Sequence, residues 1–156
     1  MKKKDVAQNI RDSLGLEEVE KLDEALVIQP KPFSIPTEAL SGENIRNHYS
    51  LYQNYAKDFN EISAELDAAD TSSASSNHSS FRSLKIDEVY NLNAAYLHEL
   101  YFANVGDLQS EITMDTLAFM RLERDFGSFD AWQMDFLACA QASRCGWVVT
   151  GFNVFT

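Results

Sequence analysis

Two stretches of helical periodicity separated by ten residues that cannot continue a helix constrain this chain more than any other feature. In "LSGENIRNHYSLYQNYAKDFNEISAELDAAD", residues 40–70, Ile45, Tyr49, Tyr52, Tyr55, Phe59, Ile62 and Leu66 recur every three or four positions and line one broad face. Ser41 stands where a helix N-cap belongs. The segment predicts a helix of about seven turns. "TSSASSNHSS", residues 71–80, follows, and its serine and asparagine side chains compete for backbone hydrogen bonds. A second periodic stretch, "LKIDEVYNLNAAYLHELYFANVG", then runs to Gly106. Two long helices joined by a short polar loop must lie antiparallel, as a helical hairpin.

The flanks read differently. Before the hairpin, Val6, Ile10 and Leu14, then Val19, Leu22 and Leu26, recur at helical spacing on either side of Gly15, predicting two short helices in an arm over residues 1–29. "QPKPFSIP" places three prolines within seven residues, which ends any helix and reads as a linker from arm to body. After the hairpin, Thr113 or Asp115 is expected to open a third helix, "DTLAFMRLERDF". Gly127 would end that helix and Ser128 cap a fourth, "FDAWQMDFLACAQAS". The Val and Phe content of "GWVVTGFNVF" predicts a strand, turned at Thr150-Gly151. The expected fold class is mainly α, in an α+β sense: a long hairpin followed by a truncated α/β part. The expected division is an arm and linker at 1–32, the hairpin at 33–106 and a partial α/β unit at 107–156.

Charge and cysteine content narrow the partners. Against 13 Lys and Arg stand 24 Asp and Glu, a net charge of −11 that repels phosphates, so neither nucleic acid nor an anionic membrane surface is an expected partner. No apolar run approaches the roughly 20 residues of a membrane span, and no signal-peptide pattern opens the sequence, so a cytoplasmic protein is expected. Cys139 and Cys145 form no C-x-x-C pattern and are expected to be buried, reduced thiols.

Of the three histidines, His78 lies in the serine-rich loop and is expected in solvent. His48 and His98 each sit mid-helix among aromatic residues. An antiparallel hairpin can aim two such rings at one point, as helical bundles do when they build metal sites. Spacing alone leaves two readings open, a hydrogen-bonded core pair or two metal donors.

Three motifs bear on that choice. "LSGENIRNHYSLYQNY" resembles the first-helix motif of the iron/manganese superoxide dismutases. "LHELYFANVG" resembles their second-helix motif, a histidine followed after two residues by a pair of aromatics. "ERDFGSFDAWQMDFLACAQASRCGW" is similar to their Asp-Phe-Gly-Ser corner, the helix after it and the Gly-Trp that opens the first strand. Order and spacing agree from residue 33 to about 153. The resemblance implies that His48 and His98 occupy the places of the first two metal ligands, that Tyr55 matches the tyrosine beside the substrate channel, and that Phe102 and Trp147 match aromatic walls of the metal pocket. Imidazoles suit iron or manganese, and packed aromatics hold such ligands in place.

The departures are equally definite. Tyr52 stands where the family has a further histidine four residues after the first ligand, and Ala94 where many iron enzymes have glutamine. Tyr55 follows His48 by seven residues in place of eight, a shift of about 100° around a helix. No Asp-x-Trp-x-x-His motif occurs, and no histidine follows His98. Two neutral donors do not make a tight site for such an ion. The expectation is therefore a superoxide-dismutase-like protein without a fully occupied cofactor site, serving as an assembly component. Its partners would be further copies or other proteins, held through residues 1–29 and 146–156. Because superoxide-dismutase-like proteins are encoded among bacteriophage structural genes, a virion is a second expected location. The alternative is the front part of an active enzyme that binds Fe or Mn once its site is completed and converts superoxide to oxygen and hydrogen peroxide.

Overall fold

A computed structural model describes residues 26–36, 40–107 and 112–153. The two arm helices expected before Leu26, and the last residues of the expected strand from Val154, lie outside that set.

Helix α1 spans Gly42–Asp67 and helix α2 Ser80–Gly106. Ser41 caps α1 by accepting the Asn44 amide at 3.2 Å, and Ser79 caps α2 by accepting the Arg82 amide at 3.1 Å. A single 3-10 turn, Thr71–Ser73, joins them, with Asp70 accepting from the Ser72 amide. A serine from the polar loop thus starts the second helix, because a hydroxyl offers a helix terminus the partner its own backbone lacks.

The helices pack antiparallel through a seam that alternates by three and four residues. On α1, Tyr52, Ala56, Phe59 and Ser63 are buried, and on α2, Asn91, Ala95, His98 and Phe102. That is the knobs-into-holes spacing of a two-helix seam, narrower than the broad face expected from the sequence. The alanines let the backbones approach, and the rings of Tyr52, Phe59 and Phe102 fill the space to either side.

The proline-rich segment is a strap laid across this hairpin. The Ile28 amide donates to Asn60 Oδ1 and its carbonyl accepts from Asn60 Nδ2, both at 2.9 Å. Further along, the Lys31 amide donates to the Tyr52 hydroxyl at 3.1 Å, its carbonyl accepts from the Tyr49 hydroxyl at 3.0 Å, and its ammonium pairs with Glu99 at 2.6 Å. Phe33 stacks on Phe102 at 5.7 Å. A segment with no helical or sheet ladder has its polar groups met by side chains, and proline removes amides that would otherwise need partners.

Helix α3, Leu117–Phe126, is capped by Thr116, one residue beyond the later of the two expected starts, because Thr113–Asp115 form a turn ahead of it. Gly127 ends it at φ +86°, and Ser128 caps α4, Phe129–Ala142, by accepting the Ala131 amide at 3.0 Å. The left-handed φ accounts for the glycine, and the corner is the helix stop and start expected from Asp-Phe-Gly-Ser. Phe119 stacks on Phe129 across it at 5.2 Å.

Two expectations are corrected. Residues 146–153 form no β-ladder, and no strand occurs among the described residues. They form an irregular segment that starts from a bend at Gly146, with Trp132 Nε1 donating to Thr150 at 2.9 Å and the Arg121 guanidinium 3.8 Å from the Phe152 ring centre. A single segment has no neighbour to complete a ladder. Cys139 and Cys145 are exposed, not buried. Helix α4 has no buried residue, and of the other helices among the described residues only α3 packs substantially on it.

The strap makes a measurable demand. Replacing Asn60 with Ala strands both polar groups of Ile28 and is expected to cost about 1–3 kcal/mol in urea denaturation, with faster hydrogen exchange at the Ile28 amide. Unchanged exchange there would show that the strap is held elsewhere.

Candidate metal half-site

The antiparallel register sets His48 of α1 against His98 of α2, with ring centres 4.9 Å apart and planes at 73°. Each ring comes from the middle of a long helix, where the backbone is least free to fray. His98 is buried. Its Nδ1 lies 2.7 Å from the Ala94 carbonyl oxygen, one turn back on the same helix. A carbonyl only accepts, so Nδ1 carries the proton in the neutral ring and the lone pair is on Nε2. That Nε2 is buried and has no hydrogen-bond partner among the described atoms. A buried polar atom without a partner costs about 1–3 kcal/mol, which makes it an unusual feature for a residue with only a packing role.

Aromatic rings enclose the pair. Trp147 stacks on His48 at 6.2 Å and 18° and meets His98 edge-on at 4.8 Å. Tyr101 lies 4.8 Å and Phe102 5.2 Å from His48. Tyr52 is parallel to His98, 8° off at 6.3 Å, and Tyr55 lies 5.2 Å from the same ring. All six residues singled out in the sequence, His48, Tyr52, Tyr55, His98, Phe102 and Trp147, therefore gather at one place. The seven-residue spacing does not take Tyr55 away from His98. It does give the tyrosine a second neighbour, Tyr90, whose ring meets it edge-on at 6.0 Å.

Two contributors were not singled out. Tyr101 packs closest of the aromatics on His48, and its signal was present as the first ring of the aromatic pair in "LHELYF". The carbonyl of Ala94 fixes the His98 tautomer, although the sequence drew notice to Ala94 only as a replaced side chain. No sequence pattern marks such a backbone group beyond its place four residues before a helical histidine.

The electrostatics favour neutral imidazole at His48. Burial, and then the neighbouring His98, hold its pKa below the ordinary 6.5. The Tyr55 phenol is pushed above its ordinary 10.0, by the neighbouring Tyr90 hydroxyl and then by burial, so it stays protonated at neutral pH. Burial raises the Tyr52 phenol as well, and its hydroxyl faces Glu99 at 3.4 Å.

Two imidazoles side by side, one of them with a buried, unpartnered Nε2, fit an imidazole-binding transition metal as part of a donor set. No group of three or more His, Cys, Asp or Glu is gathered to hold an ion among the described residues.

Comparison with known proteins decides the lineage. The chain is 35% identical over 135 residues to a protein named iron superoxide dismutase from Aquifex aeolicus, the match covering 83% of this chain and 62% of the relative. It is 33% identical over 135 residues to the protein of that name from Aquifex pyrophilus, with the same coverage. This chain belongs, as a divergent member, to the iron/manganese superoxide dismutase family. A third such protein, from Cupriavidus metallidurans, is 31% identical over 134 residues, 82% of this chain and 66% of its own length. The chain thus spans 62% of the length of the two Aquifex superoxide dismutases. No family model matches the chain, and no solved structure does. The first two motifs and the histidine pair of this superoxide-dismutase-like chain lie on its helical hairpin, and the third motif runs through α3 and α4 to Trp147. No helix of the described residues is long and apolar enough to cross a membrane.

The lowered His48 pKa fixes the sign of a pH effect. The unfolded chain binds a proton at this site more readily than the folded one, so the contribution to stability is intact above about 6.5 and is lost as the pH falls through the lower folded value. Denaturation midpoints of the protein and of His48→Gln, compared from about pH 8 to pH 5, are expected to show a smaller acid loss in the variant. Equal losses would mean that His48 is as accessible folded as unfolded.

Proposed function

We propose that this chain supplies the two-histidine half of a superoxide dismutase metal centre, with His48 and His98 as donors to iron or manganese and the remaining donors provided from outside the described residues. The observation that carries this reading is the buried, unpartnered Nε2 of His98, on a ring whose Nδ1 is engaged by the Ala94 carbonyl and which lies beside His48. The relatives named iron superoxide dismutase support iron as the first choice.

When bound, the metal would supply one-electron exchange, so that one superoxide loses an electron to become oxygen and another gains an electron and two protons to become hydrogen peroxide. The chain's residues would do the rest. Ala94 sets which nitrogen of His98 is available. Trp147, Tyr101 and Phe102 limit water around the rings and hold their planes. Tyr55, protonated at neutral pH and packed against Tyr90, is placed beside His98 to donate or relay a proton.

A second reading, a non-catalytic assembly component, draws support from the apolar side chains left open on α4 and the segment after it, Met134, Leu137, Val149 and Phe152. The two readings differ in metal affinity. On the metal-centre reading, the 156-residue protein binds Mn(II) or Fe(II) weakly, and His48→Ala or His98→Ala reduces that affinity at least about tenfold in anaerobic titrations. No difference between the protein and its histidine variants would overturn the reading. One tightly held metal per chain with full dismutase activity would show that the residues of this sequence complete the centre by themselves.

A further inference from the structure

Helix α2 is apolar on two opposite faces. One is the seam of Asn91, Ala95, His98 and Phe102 against α1. The other carries Ile86, Val89, Tyr96 and Leu100, all exposed, with Val89 and Leu100 each at 55%. At 100° per residue these four fall within one stripe roughly opposite the seam, and Tyr90 joins it at the amino-terminal end. A helix with apolar residues on both faces is normally covered on both. Nothing among the described residues covers the outer one.

The strap brings a candidate to its edge. Ile28 is fixed to Asn60 by two hydrogen bonds, and Ile28 and Gln29 share a cavity of about 240 Å³ with Tyr96, a member of the stripe. The chain before Ile28 starts from this point, and Leu26 and Val27 are themselves exposed there. Twenty-five residues precede Leu26, with Val6, Ile10 and Leu14, then Val19 and Leu22, at helical spacing. The distance along α2 from Tyr96 to Ile86 is about 15 Å, the length of ten helical residues. The stretch from Leu26 back to Leu16 has that same reach.

We propose that the amino-terminal segment, residues 1–25, folds back onto the outer face of α2, placing Val19 and Leu22 against the Ile86–Leu100 stripe. Tethering favours this occupant over a second copy. A segment anchored at Ile28 is present near the stripe at an effective concentration in the millimolar range, well above that of a separate chain at micromolar protein. The docked segment would close both faces of α2 and brace the helix that carries His98.

Paramagnetic relaxation tests this in the full chain. In a Cys139→Ser, Cys145→Ser background, a nitroxide attached at Lys21→Cys, on the polar side of the predicted segment, is expected to at least halve the methyl signals of Ile86, Val89 and Leu100. It should spare Leu51 on α1. The loss should persist when the labelled protein is diluted about tenfold with unlabelled, isotopically silent protein, and should disappear on Leu22→Asp with the helical circular dichroism unchanged. If spin-labelled chains instead broaden the signals of separate, isotopically labelled chains, the occupant is a second copy and the proposal is wrong. Absence of broadening, or broadening spread evenly over all methyl groups, equally overturns it.

Discussion

The register between the two long helices is the constraint on which the histidine pair depends. It is set by a seam in which Ala56 and Ala95 permit close approach while Tyr52, Phe59 and Phe102 interlock around them. A slide of one turn, about 5.4 Å, would carry His98 out of reach of His48 and drive aromatic rings into the alanine positions. The cost of such overlap, commonly 1–3 kcal/mol for each strained position, falls on a domain whose total stability is only several times larger. The serine caps, Ser41 on α1 and Ser79 on α2, reinforce the register by fixing where each helix begins.

On that frame the strap acts as a clamp. Lys31 ties to Tyr52 through its amide, to Tyr49 through its carbonyl and to Glu99 through its ammonium. Tyr52 in turn lies parallel to His98, and Phe33 stacks on Phe102, which touches both histidines. The exposed Lys31–Glu99 ion pair contributes little energy by itself. Its effect is geometric, since it lies beside the hydroxyl that positions the Tyr52 ring. The ring beside His98 is therefore that of a tyrosine bound into the strap.

Much of this was legible in the sequence because periodicity and capping are local. The hairpin, its Ser41 cap and the corner at Gly127-Ser128 follow from spacings and from residues whose preferences are strong, and the meeting of His48 with His98 from their mid-helix places together with the family resemblance. The failures share a different cause. Cys139 read as buried because free cysteine usually is, yet its exposure depends on what packs against α4, which is a tertiary fact. Val148 and Val149 carry strand propensity, but a strand requires a partner, and propensity cannot supply one. The proline-rich segment was read as a linker because proline excludes helix. Its role as a strap rests on long-range bonds from Ile28 to Asn60 and from Lys31 to Tyr52, which leave no local pattern.

The central claim is that His98 is held with Nδ1 protonated and a bare Nε2 directed at the inside of the site, ready to act as a donor. Long-range proton–nitrogen correlation spectra of the 15N-histidine-labelled protein at about pH 7.5 report the tautomer of each ring directly. The account predicts an Nδ1–H ring at His98 whose Nε2 shift moves on addition of a diamagnetic metal such as Zn(II), together with a response at His48. An Nε2–H tautomer at His98, indifferent to metal, would contradict it and leave the two histidines as ordinary members of the hairpin core.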